Sequence, residues 1–281
     1  MDRGRGVLAW PGRAAVSCGC CSRREVMLSS KVAVITGASR GIGKQLCVDL
    51  AEEGYDVVCV ARSSAAQPSK LAGTVDETAE LVRARGRRAL PVGLDVRDEA
   101  GIQRLAEQVY GEWGRCDLLV NNAAVAVPGP ALPDTSKRWR LAVDVNLNGP
   151  FYLMQAFCPR MAEGGHVIAI SSGAAVLPEF GRPSYTATKA ALEALSQSLA
   201  HELKGRLAVN CIRLDVAVWS EGFTFTLGEG DYSDFEHPVI MSDAVLWLAK
   251  QSVSYSGHVL TITELREQGA VRPFTPVGKR D

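Results

Sequence analysis

Tyr185 and Lys189 stand four residues apart in the stretch SYTATKAALEAL. On a helix that spacing puts both side chains on one face. A phenol holds its proton at neutral pH, but a neighbouring ammonium stabilises the phenolate, so the pair can pass a proton to or from a reacting oxygen. Two surface residues at the same spacing are common, and position has to decide between the two. Thirteen residues before Tyr185 an apolar run ends in ISS, which places Ser172 where its hydroxyl could bond a substrate carbonyl. Ser171 is the competing candidate, with the cap of a turn as its ordinary role.

A second cluster lies near the start of the patterned sequence, in TGASRGIG at 36–43. Gly37 permits a tight turn, Gly41 lets a pyrophosphate approach the backbone with no Cβ in the way, and Gly43 lets a following helix pack closely on the preceding strand. The helix N-terminus adds free N–H groups and partial positive charge. The spacing is G-x-x-x-G-x-G rather than G-x-G-x-x-G, so the evidence for a nucleotide is the strand before and the helix after. A βα turn that binds nothing is the alternative. Where a dinucleotide's 2′ position would be read, at the end of the next strand, the chain has Ala61 and Arg62 instead of an acid, and Arg40 adds a cation from the turn. Two guanidinium groups suit a phosphate, which favours NADP over NAD. Two solvated surface arginines are the plain alternative.

These residues have to be positioned by regular elements, and the chain from Lys31 alternates strand and helix. The strands read as KVAVITG, DVVCVAR, ALPVGLDV, CDLLVNNA, GHVIAISS, LAVNCIRLDV and GHVLTIT. They are continuous apolar runs, as expected of strands covered on both faces of a parallel sheet. Between them lie helical patterns, including TVDETAELVRARG with Thr74 as N-cap, and a long stretch from Thr135 to Met161 with a bend expected at Gly149–Pro150. The alternation specifies an α/β fold: one doubly wound, Rossmann-like parallel sheet of about seven strands with helices on both faces and ligands at the strands' carboxyl ends. The division is an N-terminal extension over 1–30, expected to be disordered, a catalytic domain over 31–265 and a C-terminal tail over 266–281.

Of the 281 residues, 47% are hydrophobic, enough for a large core, and 31 basic side chains balance 31 acidic ones. That balance gives no general attraction to nucleic acid or an anionic membrane, and no apolar run is long enough to span a bilayer. Eight cysteines show no secretory framework, which points to a reducing, cytoplasmic setting. Cys18, Cys20 and Cys21 lack a partner pair or a nearby His, so no metal site is expected. The extension is Arg-rich, as a mitochondrial transit peptide would be, but Pro11 and its glycines interrupt any amphipathic helix. Translation from Met27 is the plainer account of it.

Taken together, TGASRGIG, LDV at Asp95, NNAA at 121–124, Asn146 in DVNLNG, Ser172 and YTATK at 185–189 resemble the classical short-chain dehydrogenase/reductase family, over about Lys31 to Thr263. The resemblance implies hydride transfer between a nicotinamide ring and an alcohol or carbonyl. Tyr185 would be the general acid/base. Lys189 would stabilise its phenolate and hold the nicotinamide ribose, Ser172 would orient substrate, and Asn146 would hold a water linking Lys189 to solvent. Gly37, Ser39, Arg40, Gly41, Ile42 and Gly43 would line the cofactor together with Arg62. Asp95 and Val96 would meet adenine, and Asn122 and Ala123 the adenosine ribose and the fourth strand. Asp95 as a loop cap and Asn122 as a backbone clamp are the structural alternatives. The long segment after strand two, with DTSKRWRLAVDVN, is similar to the hydroxysteroid-dehydrogenase-like branch. Family likeness also implies a homodimer or homotetramer through two long helices, one of them bearing Tyr185.

The chain departs from the family pattern in three places, one of them the final TITEL, which lacks the common Asp-Gly-Gly close. Ala124–Val125 replaces the usual glycine, and Leu214–Asp215 stands where Pro-Gly shapes the wall beside the nicotinamide. The latter puts an acid near the cofactor, with Arg213 as its expected partner and Ser220 as the hydroxyl for the carboxamide. The segment from Trp219 to Phe235, with Phe223, Phe225 and Tyr232, is expected to be a substrate lid or else to pack on neighbours, and Phe180 to reach the pocket from the opposite wall. A hydrophobic alcohol or ketone is the implied substrate. A C=C reductase or epimerase on the same scaffold, and a catalytically silent NADP-sensing protein, are the rivals.

Overall fold

The computed structural model describes residues 30–129, 132, 136–178, 181–228 and 230–277. The N-terminal extension with Cys18, Cys20 and Cys21, and also Phe180, lie outside the described residues. Seven parallel strands form one sheet in the order β3-β2-β1-β4-β5-β6-β7: β1 Val32–Thr36, β2 Asp56–Ala61, β3 Ala89–Gly93, β4 Leu118–Asn121, β5 Gly165–Ser172, β6 Leu207–Leu214 and β7 Val259–Thr261. The strand order reverses direction between β1 and β4, which opens a crevice at their carboxyl ends. The glycine turn follows β1 and Asn122 follows β4, so the two candidate cofactor motifs flank that crevice.

Side chains alternate across the sheet and feed two cores. Ala33 and Ile35 of β1, with Val57 and Cys59 of β2, face α1 (Gly41–Glu52), α8 (Val239–Ala249) and α9 (Ile262–Glu267). Val32, Val34, Val58 and Val60 face the other way, toward α3 (Glu99–Trp113) and α5 (Gly149–Phe157). Double coverage is why the strands read as unbroken apolar runs. Phe157 is among the largest fully buried side chains, and its backbone carbonyl accepts from the Tyr110 hydroxyl at 2.7 Å.

Helix ends follow their local chemistry. Thr74 and Glu77 form a reciprocal capping box on α2 (Val75–Arg83), and Gly114 ends α3 in the left-handed conformation at φ 76°. The long stretch expected as one bent helix resolves differently. α4 (Ser136–Val143) runs into a π-turn over Asp144–Asn148, which continues into α5. Pro150 explains the slip. It has no N–H to give the carbonyl four residues back, that of Asn146, and its ring crowds the same oxygen. α6 (Pro183–Glu202) is the longest helix among the described residues and carries Tyr185 and Lys189.

The C-terminal part is more ordered than its pattern suggested. The strand expected to run through Thr263 stops at Thr261, where a second capping box with Glu264 starts α9. The division at 265 therefore falls inside that helix. Beyond it Val271 is buried, and the backbone returns to pair Thr275 and Val277 with His237 and Phe235. A short helix, α7 (Glu221–Leu227), replaces the irregular lid expected there, with Ser220 accepting from the Phe223 N–H as its cap.

Phe157→Ala should lower unfolding free energy by about 3–5 kcal/mol, the usual range for emptying a core aromatic site. Urea denaturation followed by far-UV circular dichroism measures it.

Candidate active site

Lys189 reaches through the protein to the end of β5. Its ammonium donates to the Ile170 carbonyl at 2.6 Å and is only 3% exposed, and its nitrogen lies 5.6 Å from the centroid of the Tyr185 ring. One contact thus fixes α6 against β5 and brings Tyr185 beside the strand end that carries Ser172. Ser172 is half-buried, and its hydroxyl accepts from the Ala174 N–H in the short turn that follows. Ser171 points the opposite way, donating to Glu193 at 2.7 Å in the interior. The pleat therefore separates the two serines and leaves Ser172 on the side of the candidate site.

Asn146 is fully buried in the π-turn. Its side-chain oxygen accepts from the Val125 N–H at 2.8 Å, and its amide donates to the Val125 carbonyl at 2.9 Å and to Thr188 Oγ1 at 3.1 Å. Thr188 sits directly before Lys189, so Asn146 joins the end of β4 to the catalytic face of α6. Its amide hydrogens are taken up in this clamp. What Pro150 leaves free of a four-residue helical bond is the Asn146 carbonyl.

The glycine turn is locked from below. The Thr36 hydroxyl accepts from the N–H groups of both Asn122 and Ala123 at 3.0 Å, and the Asn122 amide donates to the Thr36 carbonyl at 2.8 Å. Gly37 has φ +69° and Gly41 φ +51°, while a Cβ on Gly43 would lie 2.2 Å from the Gly37 carbonyl. Arg40 at the start of α1 provides no side-chain cap, leaving the first-turn N–H groups to an incoming acceptor. A bare, positively polarised turn of this kind fits a pyrophosphate. Ser39 is buried, and Ile42 is partly buried against the core.

The two arginines behave differently. Arg40 folds over the segment after β2, donating to the carbonyls of Leu71, Ala72 and Gly73 and to Ser69 at 2.7–3.0 Å. Its guanidinium is thereby committed to positioning that segment. Arg62, at the end of β2, is exposed and has no hydrogen bond or ion pair with the described residues. Burial opposes ionisation of Asp95, but the hydrogen bonds from Arg97 outweigh it and hold that carboxyl below its ordinary value. Val96 packs on Gly149, where a Cβ would come within 2.9 Å.

Asp215 does not pair with Arg213. Its carboxylate accepts from the Thr263 N–H in the first turn of α9, while Arg213 grips Glu193 through two hydrogen bonds at 2.9 and 2.6 Å. Register explains this: Arg213 lies opposite Ser171 on β5, on the interior side, so it meets the same buried carboxylate that Ser171 does. The aromatic residues of the expected lid divide as well. Phe223 and Tyr232 each pack against Phe235, with ring centroids 5.5 and 5.0 Å away, whereas Phe225 is 65% exposed. Thr36, Thr188 and the Ser69–Gly73 segment were not singled out by spacing, because their roles depend on contacts distant in sequence.

Nucleophilic cysteine and metal chemistry find no support among the described residues. Cys47, Cys59, Cys116, Cys158 and Cys211 are all buried, and desolvation pushes the thiols of Cys158 and Cys211 up to about 12. No cluster of three metal-ligating side chains occurs among these residues. Nor is any helix among them long and apolar enough to cross a membrane.

Comparison with known proteins agrees with this geometry. Residues 31–217 match the short chain dehydrogenase family. Hydroxysteroid dehydrogenase-like protein 2 of Homo sapiens is 31% identical over 86% of this chain and 61% of its own length. The chain spans about three fifths of the length of such curated relatives. Among solved structures, a blue fluorescent protein from a metagenomic library in complex with NADPH superposes with TM-score 0.73 at 27% identity, covering 83% of this chain and 96% of that one. A short chain dehydrogenase from Mycobacterium paratuberculosis bound to NAD gives 0.72 at 28% identity, covering 82% and 95%.

Removing one partner of the Arg213–Glu193 pair leaves a carboxylate stranded in the interior. Arg213→Met should destabilise the protein by about 3–5 kcal/mol, and adding Glu193→Leu should recover most of that loss. Thermal and chemical melts of the single and double variants test it.

Proposed function

The chain belongs to the short-chain dehydrogenase family of NAD(P)-dependent oxidoreductases, and on that premise we propose that it transfers hydride between NADP(H) and a hydrophobic alcohol or ketone. The observation that carries the proposal is the buried Lys189 ammonium beside the Tyr185 ring, at the strand end occupied by Ser172. When bound, the nicotinamide supplies or accepts the hydride. Tyr185 gives its phenolic proton to the carbonyl oxygen in reduction and takes it back in oxidation. Lys189 stabilises the phenolate left behind and holds the nicotinamide ribose. Ser172 hydrogen-bonds the substrate oxygen and orients it. Asn146 offers its freed carbonyl to a water that returns the proton from solvent.

Cofactor roles follow the same logic. Gly37, Ser39, Gly41, Ile42 and Gly43 form the cradle for the pyrophosphate. Val96 and Asp95 bound the adenine, while Asn122 and Ala123 hold the cradle to β4 beside the ribose. The preference for NADP rests on Arg62, which makes no side-chain hydrogen bond or ion pair with the described residues, and only indirectly on Arg40. An apolar substrate is supported by Val176 and Leu177, exposed directly after the Ser172 turn, and by exposed Phe225 on α7. Half-exposed Phe151 on α5 and Trp139 on α4 support assembly as a homodimer or homotetramer through this helical face.

Tyr185→Phe removes the transferable proton without changing the shape of the site. It should cut turnover of apolar ketones at least about a hundredfold while NADPH still shows fluorescence enhancement on binding. Retained turnover overturns the assignment. Arg62→Ala should weaken NADPH binding about tenfold or more and leave NADH nearly unchanged. Equal losses for both cofactors contradict the phosphate role.

A further inference from the structure

The start of α7 lies against the glycine turn. A Cβ built on Gly41 would meet Ser220 Cβ at 2.7 Å and Glu221 Oε2 at 3.5 Å. That carboxylate oxygen is buried and has no hydrogen-bond partner. Arg40 feels this charge, but its guanidinium gives its hydrogen bonds to Ser69, Leu71, Ala72 and Gly73. A carboxylate oxygen that makes no hydrogen bond therefore sits at the mouth of a turn whose geometry suits an anion. Beside it lies a shallow, open cleft lined by Leu71, Glu221, Thr224, Phe225 and Gly228.

We propose that Glu221 is a gate residue that limits dinucleotide affinity, its carboxylate being displaced from the glycine turn into the Leu71–Phe225 cleft when a pyrophosphate docks. A pyrophosphate seated on this turn would lie against the Glu221 carboxylate, and repulsion between the two anions would drive the first turn of α7 aside. That movement couples cofactor arrival to the lid, because Glu221 begins the helix that carries Phe225. The segment from Ser69 to Gly73, held by Arg40, forms the fixed wall against which the helix shifts. A charge this close, in a partly desolvated site, is worth about a tenfold change in affinity. The inference rests on the dinucleotide reading proposed above.

The test is NADPH binding followed by fluorescence titration and calorimetry, with Glu221→Gln, Glu221→Ala and the charge-preserving Glu221→Asp, each checked for folding by thermal melting. Glu221→Gln and Glu221→Ala should bind NADPH about tenfold tighter than the wild type, and Glu221→Asp should stay within about twofold of it. Either neutral variant suffices if the other does not fold. Wild-type binding with no gain in the neutral variants overturns the gate and leaves the cofactor reading standing. Tighter binding by Glu221→Asp as well would show that loosened packing, not charge, is responsible, and also overturns it. No binding by any of the four proteins overturns both.

Discussion

A buried ammonium needs acceptors, and the one supplied here is the Ile170 carbonyl. That requirement fixes more than a side chain. It sets how α6 lies on β5, which turn of α6 faces the crevice, and so where Tyr185 stands relative to Ser172. A lysine at 3% exposure is costly unless its charge is compensated. Under the proposed function the compensation is functional, because the phenolate and the ribose hydroxyls would complete its shell.

The surrounding structure is arranged to keep that contact in register. Asn146 bridges the end of β4 to Thr188, next to Lys189, and Pro150 imposes the π-turn that carries Asn146. One turn further along α6, Glu193 gathers Ser171 and Arg213 and fastens α6 to β5 and β6. The cofactor half is held independently by Thr36, which accepts from two N–H groups after β4 and thereby joins both edges of the crevice. The candidate site is thus held by three clamps, each centred on a buried polar side chain: Asn146, Glu193 and Thr36.

Much of this is legible in the residues alone. Unbroken apolar strands announce a doubly covered parallel sheet, and the alternation of elements yields its class. Thr74 with Glu77 and Gly114 mark helix ends by chemistry that acts within one turn. The chemistry-bearing residues are equally local in their signals: a four-residue spacing for Tyr185 and Lys189, and glycines between a strand and a helix. What escapes is what long-range contacts decide. Arg213 is two residues from Asp215 in the chain, yet its register opposite Ser171 takes it to Glu193, while Asp215, beyond the end of β6, is captured by α9. Arg40 looks like a phosphate ligand by position, yet its donors meet the backbone of a segment some thirty residues on. The helix at Glu221–Leu227 is a single short piece stabilised by Ser220 and by aromatic stacking with Phe235, with no periodicity long enough to read.

The central claim is that Lys189 makes Tyr185 a proton donor to a carbonyl beside a docked nicotinamide. Incubation with NADPH deuterated at nicotinamide C4 and apolar ketones, with mass spectrometry of the products, tests it most directly when wild type and Lys189→Met are compared. The account predicts deuterium on the carbinol carbon with the wild type, and at least about a hundredfold slower labelling with the variant while it still folds. Labelling by Lys189→Met at the wild-type rate, or deuterium delivered to a C=C bond while ketones stay unlabelled, would contradict it.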